Sequence, residues 1–206
     1  MSTVRVRPAR PAEAPILAEM ANDLNDHVGV RGRPFTPERV LTGGFGPQAV
    51  FTPLVAELDG AVVGYAFYAV GYNTDHAARA MWLHDIFVTP AARGRGVGNA
   101  LMAAVAAETL RAGCVSLEWG VHKANTGALA FYRRLGAGGG EAMILGVDGE
   151  RLRRRERELA FGGVIADIRS TAQQSREGRS YGAHDHQRQI PRAQGRSEHT
   201  PSVGDP

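Results

Sequence analysis

The sequence predicts an α/β fold in which a mixed sheet is covered by helices on both faces. Short β-rich apolar runs alternate with segments of helical periodicity from residue 3 to about residue 150. The pair Asp59-Gly60 separates two such β runs, a composition that favours a tight primed turn and hence an antiparallel hairpin. The stretch "RGRGVG" from Arg93 to Gly98 joins an apolar run to an alanine-rich one, marking a strand-turn-helix junction.

Each element has a local cause. "VRVRPA" alternates, with Val4 and Val6 on one face of a first strand. "PAEAPILAEMANDLNDH" follows as a helix, with Pro11 at an early position and Ile16, Leu17, Met20 and Leu24 at helical spacing. Thr36 before Pro37 and Glu38 starts a second, short helix. "PLVAELDGAVVGYAFYAVGY" is the hairpin, and "AMWLHDIFV" is the next strand. "GVGNALMAAVAAETLRAG" is a helix with a stripe of Val97, Leu101, Val105 and Leu110, stopped by Gly113. "CVSLEWGV" is a strand, "NTGALAFYRRLGA" a helix ending at Gly136, and "EAMILGV" a last strand. From about residue 161 the chain has little apolar content and no periodicity, and it reads as a disordered tail spanning 161–206. His184 and His186 lie there as loop histidines without the further ligands a metal site needs.

Composition narrows the function classes. The chain has 206 residues, enough for one well-buried core and a tail. No apolar stretch spans a bilayer, and the amino terminus lacks a secretory core, so no membrane role is expected. Cys114 is the single cysteine, which excludes an internal disulfide and fits a reducing, cytoplasmic setting. The net charge is +3, and Lys123 is the only lysine among many arginines. The basic block "RLRRRERELA" is interrupted by Glu156 and Glu158 and has no aromatic residues for stacking, so a solvated face is expected rather than a nucleic-acid site. No metal motif is present.

The glycine turn fails two phosphate-loop patterns. Gly94, Gly96 and Gly98 do not have dinucleotide-fingerprint spacing, and Asn99 stands where a Walker loop needs lysine. What survives is the shared physics. Unpaired N–H groups at a helix start favour anions, glycines allow close approach, and Arg93 and Arg95 add charge-assisted donors. A pyrophosphate suits such a turn, although the turn alone does not separate a ligand loop from a flexible turn with surface arginines.

The flanks separate them. Arg93-x-x-Gly96-x-Gly98 after "WLHDIFVTP" resembles the acetyl-CoA signature of the GCN5-related N-acetyltransferases (GNAT), and "VHKANTGALAFYRRLGA" resembles that family's closing segment. The order of "LHDIFV", "RGRGVG", "NTGALAFY" and "ILGVDGERL" is similar to the spermidine/spermine and thialysine acetyltransferase branch, over residues 3–153. The resemblance implies a mostly antiparallel sheet with a splayed strand pair. It implies acetyl-CoA as acetyl donor, without a metal. The backbone of Ile86, Phe87 and Val88 would pair with the pantetheine arm, and Arg93, Gly94, Arg95, Gly96, Val97, Gly98 and Asn99 would wrap the pyrophosphate. Asn125 would reach the pantetheine, and Tyr132 would sit by the thioester sulfur. Relatives often pair through the last strands, which implies a homodimer through "EAMILGV".

These residue types suit direct attack of an amine on a thioester in a ternary complex. A phenol has a reference pKa of about 10 against about 8.5 for a thiol, so Tyr132 is a neutral donor able to protonate the leaving thiolate. A strand-end N–H near Phe87 would steady the oxyanion. The related branch has glutamate where this chain has His84, which can still accept a proton near neutrality, directly or through a water. Its neighbour Asp85 completes the catalytic set, although strand alternation sends His84 and Asp85 to opposite faces unless a bulge intervenes. Ala124 replaces the branch's usual tryptophan, so the wall beside Asn125 differs.

For the acceptor, Glu19, Asp23 and Asp26 would attract a cation and His27 would bond to it, with His84 also touching the substrate. An ordinary solvated helix face explains the same charges. The expected acceptor is a small primary amine, polyamine-like or amino-acid-like. The rival readings are acetylation of a protein N-terminus or lysine, and a lapsed module that binds acetyl-CoA without turnover.

Overall fold

The computed structural model describes residues 3–139 and 149–154. Contacts divide the chain into residues 1–139 and 140–206. In the second unit residues 149–154 are helical and exposed, and the rest of the basic block lies outside the described residues. The expected last strand "EAMILGV", the pairing surface assigned to it and the tail lie outside the described residues.

The first unit is a five-stranded sheet in the order β1 (Val4–Pro8), β2 (Thr52–Leu58), β3 (Ala61–Asn73), β4 (Ala78–Val88) and β5 (Ser116–Trp119). Neighbours run antiparallel except β4 and β5, which are parallel. The β2–β3 turn has positive φ at Asp59 (54°) and Gly60 (85°), the primed geometry that matches strand twist. α1 (Ala14–Val28) follows a 3-10 turn at Pro11–Glu13 and ends at Gly29, whose φ of 82° is left-handed. α2 (Pro37–Gly44) starts where the Thr36 hydroxyl accepts the Arg39 N–H at 3.3 Å. α3 (Val97–Arg111) and α4 (Thr126–Arg134) complete the unit.

Two apolar clusters flank the sheet. One face packs Leu54, Met81 and Leu83 against Val97, Leu101 and Val105 of α3. The other packs Val55, Tyr65, Phe67 and Phe87 against Leu17 and Met20 of α1 and Val40 of α2. The α3 stripe differs from the expected one at its end, since Leu110 is 78% exposed and Thr109 is 5% exposed. A helical step of about 100° carries the series Val97, Leu101, Val105 on to position 109 and turns 110 outward. The Thr109 hydroxyl is satisfied by donating to the Val105 carbonyl at 2.8 Å. In α1, Ile16 is likewise exposed, because Leu17 takes the core-facing position beside it.

A bulge interrupts β4. Phe67 pairs with Asp85 and Tyr68 with Leu83, so His84 is the extra residue. Leu83 packs on the α3 face, and so does Ile86, whereas Phe87 packs on the α1 face. His84 and Asp85 between them therefore share the α1 side, which meets the condition that strand alternation set.

Candidate active site

β4 and β5 pair only from Ala80↔Ser116 to Leu83↔Trp119. Beyond Leu83 the strands part, and a cavity of about 1040 Å³ opens there. That exceeds the volume of most small-molecule pockets, about 300–1,000 Å³. Its wall includes Ile86, Phe87 and Val88 from β4, and Arg93, Gly94, Gly96, Val97, Gly98 and Asn99 from the glycine turn. His27 from α1 and Asn125 and Tyr132 from α4 close it. Arg95, Asp26, His84 and Asp85 are not on this wall.

The glycine turn is made of backbone. Gly94 (φ 74°) and Gly96 (φ 83°) are left-handed, a conformation that other residues adopt with strain. Gly96 caps α3 without any side-chain cap, and the first intrahelical amide to reach back is Ala100 N–H, which donates to the Gly96 carbonyl at 3.0 Å. The amides of Val97, Gly98 and Asn99 therefore face the cavity end of the helix without helical acceptors. A Cβ on Gly98 would stand 3.3 Å from the Phe131 ring, so glycine lets α3 and α4 approach. These orphan amides at a positive helix end fit a diphosphate. Arg93 donates from Nε to the Val88 carbonyl at 3.1 Å and lies 5.9 Å from the centre of the Phe87 ring. Arg95 turns away from the cavity and bonds Asp59 Oδ2 at 3.1 Å.

The open edge of β4 offers further donors. Thr89 N–H donates across to the Val63 carbonyl at 2.9 Å, on the β3 side. Strand amides alternate, so those of Ile86 and Val88 point away from β3 towards the gap, while that of Phe87 points to β3.

α4 presents its own start to the cavity. Asn125 Oδ1 accepts the Ala128 N–H at 3.0 Å, which leaves its Nδ2 for a ligand. Tyr132 lies between Trp119, with ring centres 5.0 Å apart, and Phe131, at 5.2 Å. Burial first, and the Asp85 charge second, push its phenol up, so it stays protonated near neutrality. Burial also raises the Asp85 carboxyl, while His84 and the Tyr65 hydroxyl oppose that rise.

The expected acidic face of α1 is already engaged. Arg33, from the loop after α1, donates to Glu19 at 2.8 Å, to Asp23 at 3.3 Å and to Asp26. The same loop is fastened by Asn22, whose Nδ2 donates to the Phe35 carbonyl at 2.9 Å and whose Oδ1 accepts the Phe35 N–H at 3.0 Å. Sequence reasoning passed over His122, which lines the cavity and accepts the Ala124 N–H on Nδ1 at 3.2 Å. Its position two residues before Ala124, in the segment ahead of Asn125, was the available signal. Tyr65 was also passed over, because only strand register brings it to Asp85. Among the described residues no three His, Cys, Asp or Glu side chains gather as a metal site, and no helix is long and apolar enough to cross a membrane.

Comparison with known proteins adds to this geometry. The sequence profile of the acetyltransferase (GNAT) family matches residues 23–137. The thialysine N-epsilon-acetyltransferase of Mus musculus is 32% identical over 146 residues, covering 66% of this chain and 85% of that protein. The L-ornithine N5-acetyltransferase NATA1 of Arabidopsis thaliana is 32% identical over 79 residues, 38% of this chain and 35% of that protein. Among solved structures, an integron cassette protein from the mobile metagenome of V. cholerae superposes with TM-score 0.64 at 20% identity, covering 74% of this chain and 97% of that one. The aminoglycoside N-acetyltransferase AAC(6')-Iy, solved with CoA, superposes with TM-score 0.58 at 22% identity, covering 72% and 96%.

Proposed function

The chain belongs to the GNAT acetyltransferase family and is an N-acetyltransferase, and from that premise we propose that it transfers the acetyl group of acetyl-CoA to a small primary amine. One observation carries this reading: the glycine turn, the open edge of β4 and the Tyr132 phenol all face one cavity. The names of two relatives point to amino acids acetylated on a side-chain nitrogen, thialysine and ornithine, and we take an acceptor of that class. The buried, lone Cys114 supports a cytoplasmic setting.

Acetyl-CoA supplies a thioester carbonyl open to attack by an amine. The chain's part is to bind, orient and move protons. Gly94 and the stretch from Gly96 to Asn99 would hold the diphosphate, and the Val88 and Ile86 amides would donate to the arm and to the oxygen that gains charge. Asn125 Nδ2 would bind the pantetheine. His84 and Asp85, side by side past the fork, would take the proton from the ammonium, directly or through a water, so that its nitrogen pair is free. As the new C–N bond forms and the C–S bond breaks, Tyr132 would give its proton to the departing sulfur.

The test is thiol release from acetyl-CoA with a panel of amines. Release with lysine-like or ornithine-like amines is expected. Release only with peptides would replace this reading by protein acetylation, and tight coenzyme binding without release would replace it by a lapsed module.

A further inference from the structure

Tyr65 is fully buried on the α1 face of the sheet, where a hydroxyl needs a partner. It donates to Asp85 Oδ2 at 3.4 Å. The pairing that makes this contact runs through the bulge. Tyr65 stands opposite Phe87 and Phe67 opposite Asp85, so the Tyr65 ring reaches Asp85 along the diagonal of the ladder. In a regular strand Asp85 would share a face with Leu83 and enter the apolar cluster beneath α3. The extra residue His84 instead turns the carboxylate to the α1 side, half-buried, next to Ile86 and Phe87 of the cavity wall.

We propose that Tyr65 is a positioning residue that holds Asp85 as the carboxylate receiving the proton of the attacking amine, with His84 beside it as a charge partner. This rests on the acetyl-transfer reading above. A single donor on Oδ2 restrains the carboxylate and leaves Oδ1 to work. The 3.4 Å separation is longer than the usual O–H···O distance of about 2.8 Å, and such contacts tighten as the reacting complex forms. Burial and the Asp85 charge raise the Tyr65 phenol, so it remains a donor throughout the working range. The groups acting on this carboxylate are Tyr65 from β3 and His84 on β4; its charge is felt at Tyr132 of α4, and Asp23 of α1 acts on Tyr65 itself. Because Tyr65 bonds the charged form of Asp85, removing the hydroxyl favours the protonated form. Activity then needs a higher pH. If His84 were the base instead, removing the Tyr65 hydroxyl would not move the acid limb up. The sign of the shift separates the two.

The experiment is the pH profile of kcat/KM for the full chain and its Y65F, H84A and D85N variants, using acetyl-CoA and the panel amine that wild type turns over fastest. The expected result for Y65F is an acid limb moved up by about one pH unit, the scale of one charge-assisted hydrogen bond, with calorimetric coenzyme affinity unchanged. D85N is expected to lose about 100-fold in kcat and to lose the limb. H84A is expected to keep a limb, also moved upward. An acid limb that stays or moves down in Y65F, or one abolished by H84A and kept in D85N, overturns the inference while acetyl transfer stands. Coenzyme binding by wild type without turnover of any amine overturns both. A carbon-13 NMR titration of the Asp85 carboxyl in wild type tests the same point without a variant: a midpoint above the ordinary aspartate range is expected, and one at or below it overturns the inference.

Discussion

The cavity wall at the glycine turn and the side-chain cluster beside the cavity are built in different ways. The wall at the start of α3 is backbone: left-handed Gly94 and Gly96, and amides left without helical acceptors. The cluster beside it, around the β4 bulge and along α1, is side chains: Tyr65 on Asp85, His84 next to it, and Arg33 across three carboxylates. The backbone wall needs no particular side chain, only the absence of several. It suits a ligand portion that never varies. Side-chain positions can be rewritten one residue at a time, as His84 beside the cavity and Ala124 on its wall illustrate, and they suit the part of the reaction where substrates differ.

The largest expected effect lies at Tyr132 on the cavity wall. Tyr132→Phe should lower kcat by about 100-fold through loss of the proton donor, with coenzyme affinity kept. Full activity near neutral pH would remove the phenol from the reaction. Next comes the backbone wall. Gly96→Val forces a β-branched residue to φ 83°, and the strain of about 1–2 kcal/mol should weaken coenzyme binding roughly tenfold in calorimetry. An unchanged affinity would mean that this turn does not grip the diphosphate. A smaller effect is expected from Arg33→Ala, which frees the α1 carboxylates. The KM of a cationic amine should fall about twofold at low ionic strength, and the difference should vanish in high salt. A rise in KM would show that Arg33 serves the acceptor by holding its loop in place. The smallest concerns Asp59→Asn. It breaks an exposed ion pair to Arg95 on the outer side of the glycine turn, and coenzyme affinity should change by less than about fivefold.

The same contrast explains what could be read from the chain beforehand. The glycine turn, the Asp59-Gly60 hairpin and the Thr36 cap are local, because the residues that cause them are those that form them. The α3 stripe was local too and failed only at its end, where one step of the helix exchanges Leu110 for Thr109. The bulge at His84 is a property of pairing, and nothing within "WLHDIFV" marks which residue is extra. Strand alternation could state the condition for His84 and Asp85 to share a face, but only the β3 register meets it. Arg33 likewise answers acidic residues on α1 across a loop whose path depends on Asn22 and Phe35. The acidic face was therefore visible in the sequence, and its own cation was not.

The brevity of the β4–β5 ladder has a further consequence. Past Leu83 the outer edge of β4 has no protein strand beside it among the described residues. Bare strand edges are templates for pairing between molecules, and long apolar ones invite aggregation. Whatever fills the fork also shields that edge. Shelf life and heat tolerance of the purified protein should therefore follow how full the fork is kept, with clumping the first sign of an empty one.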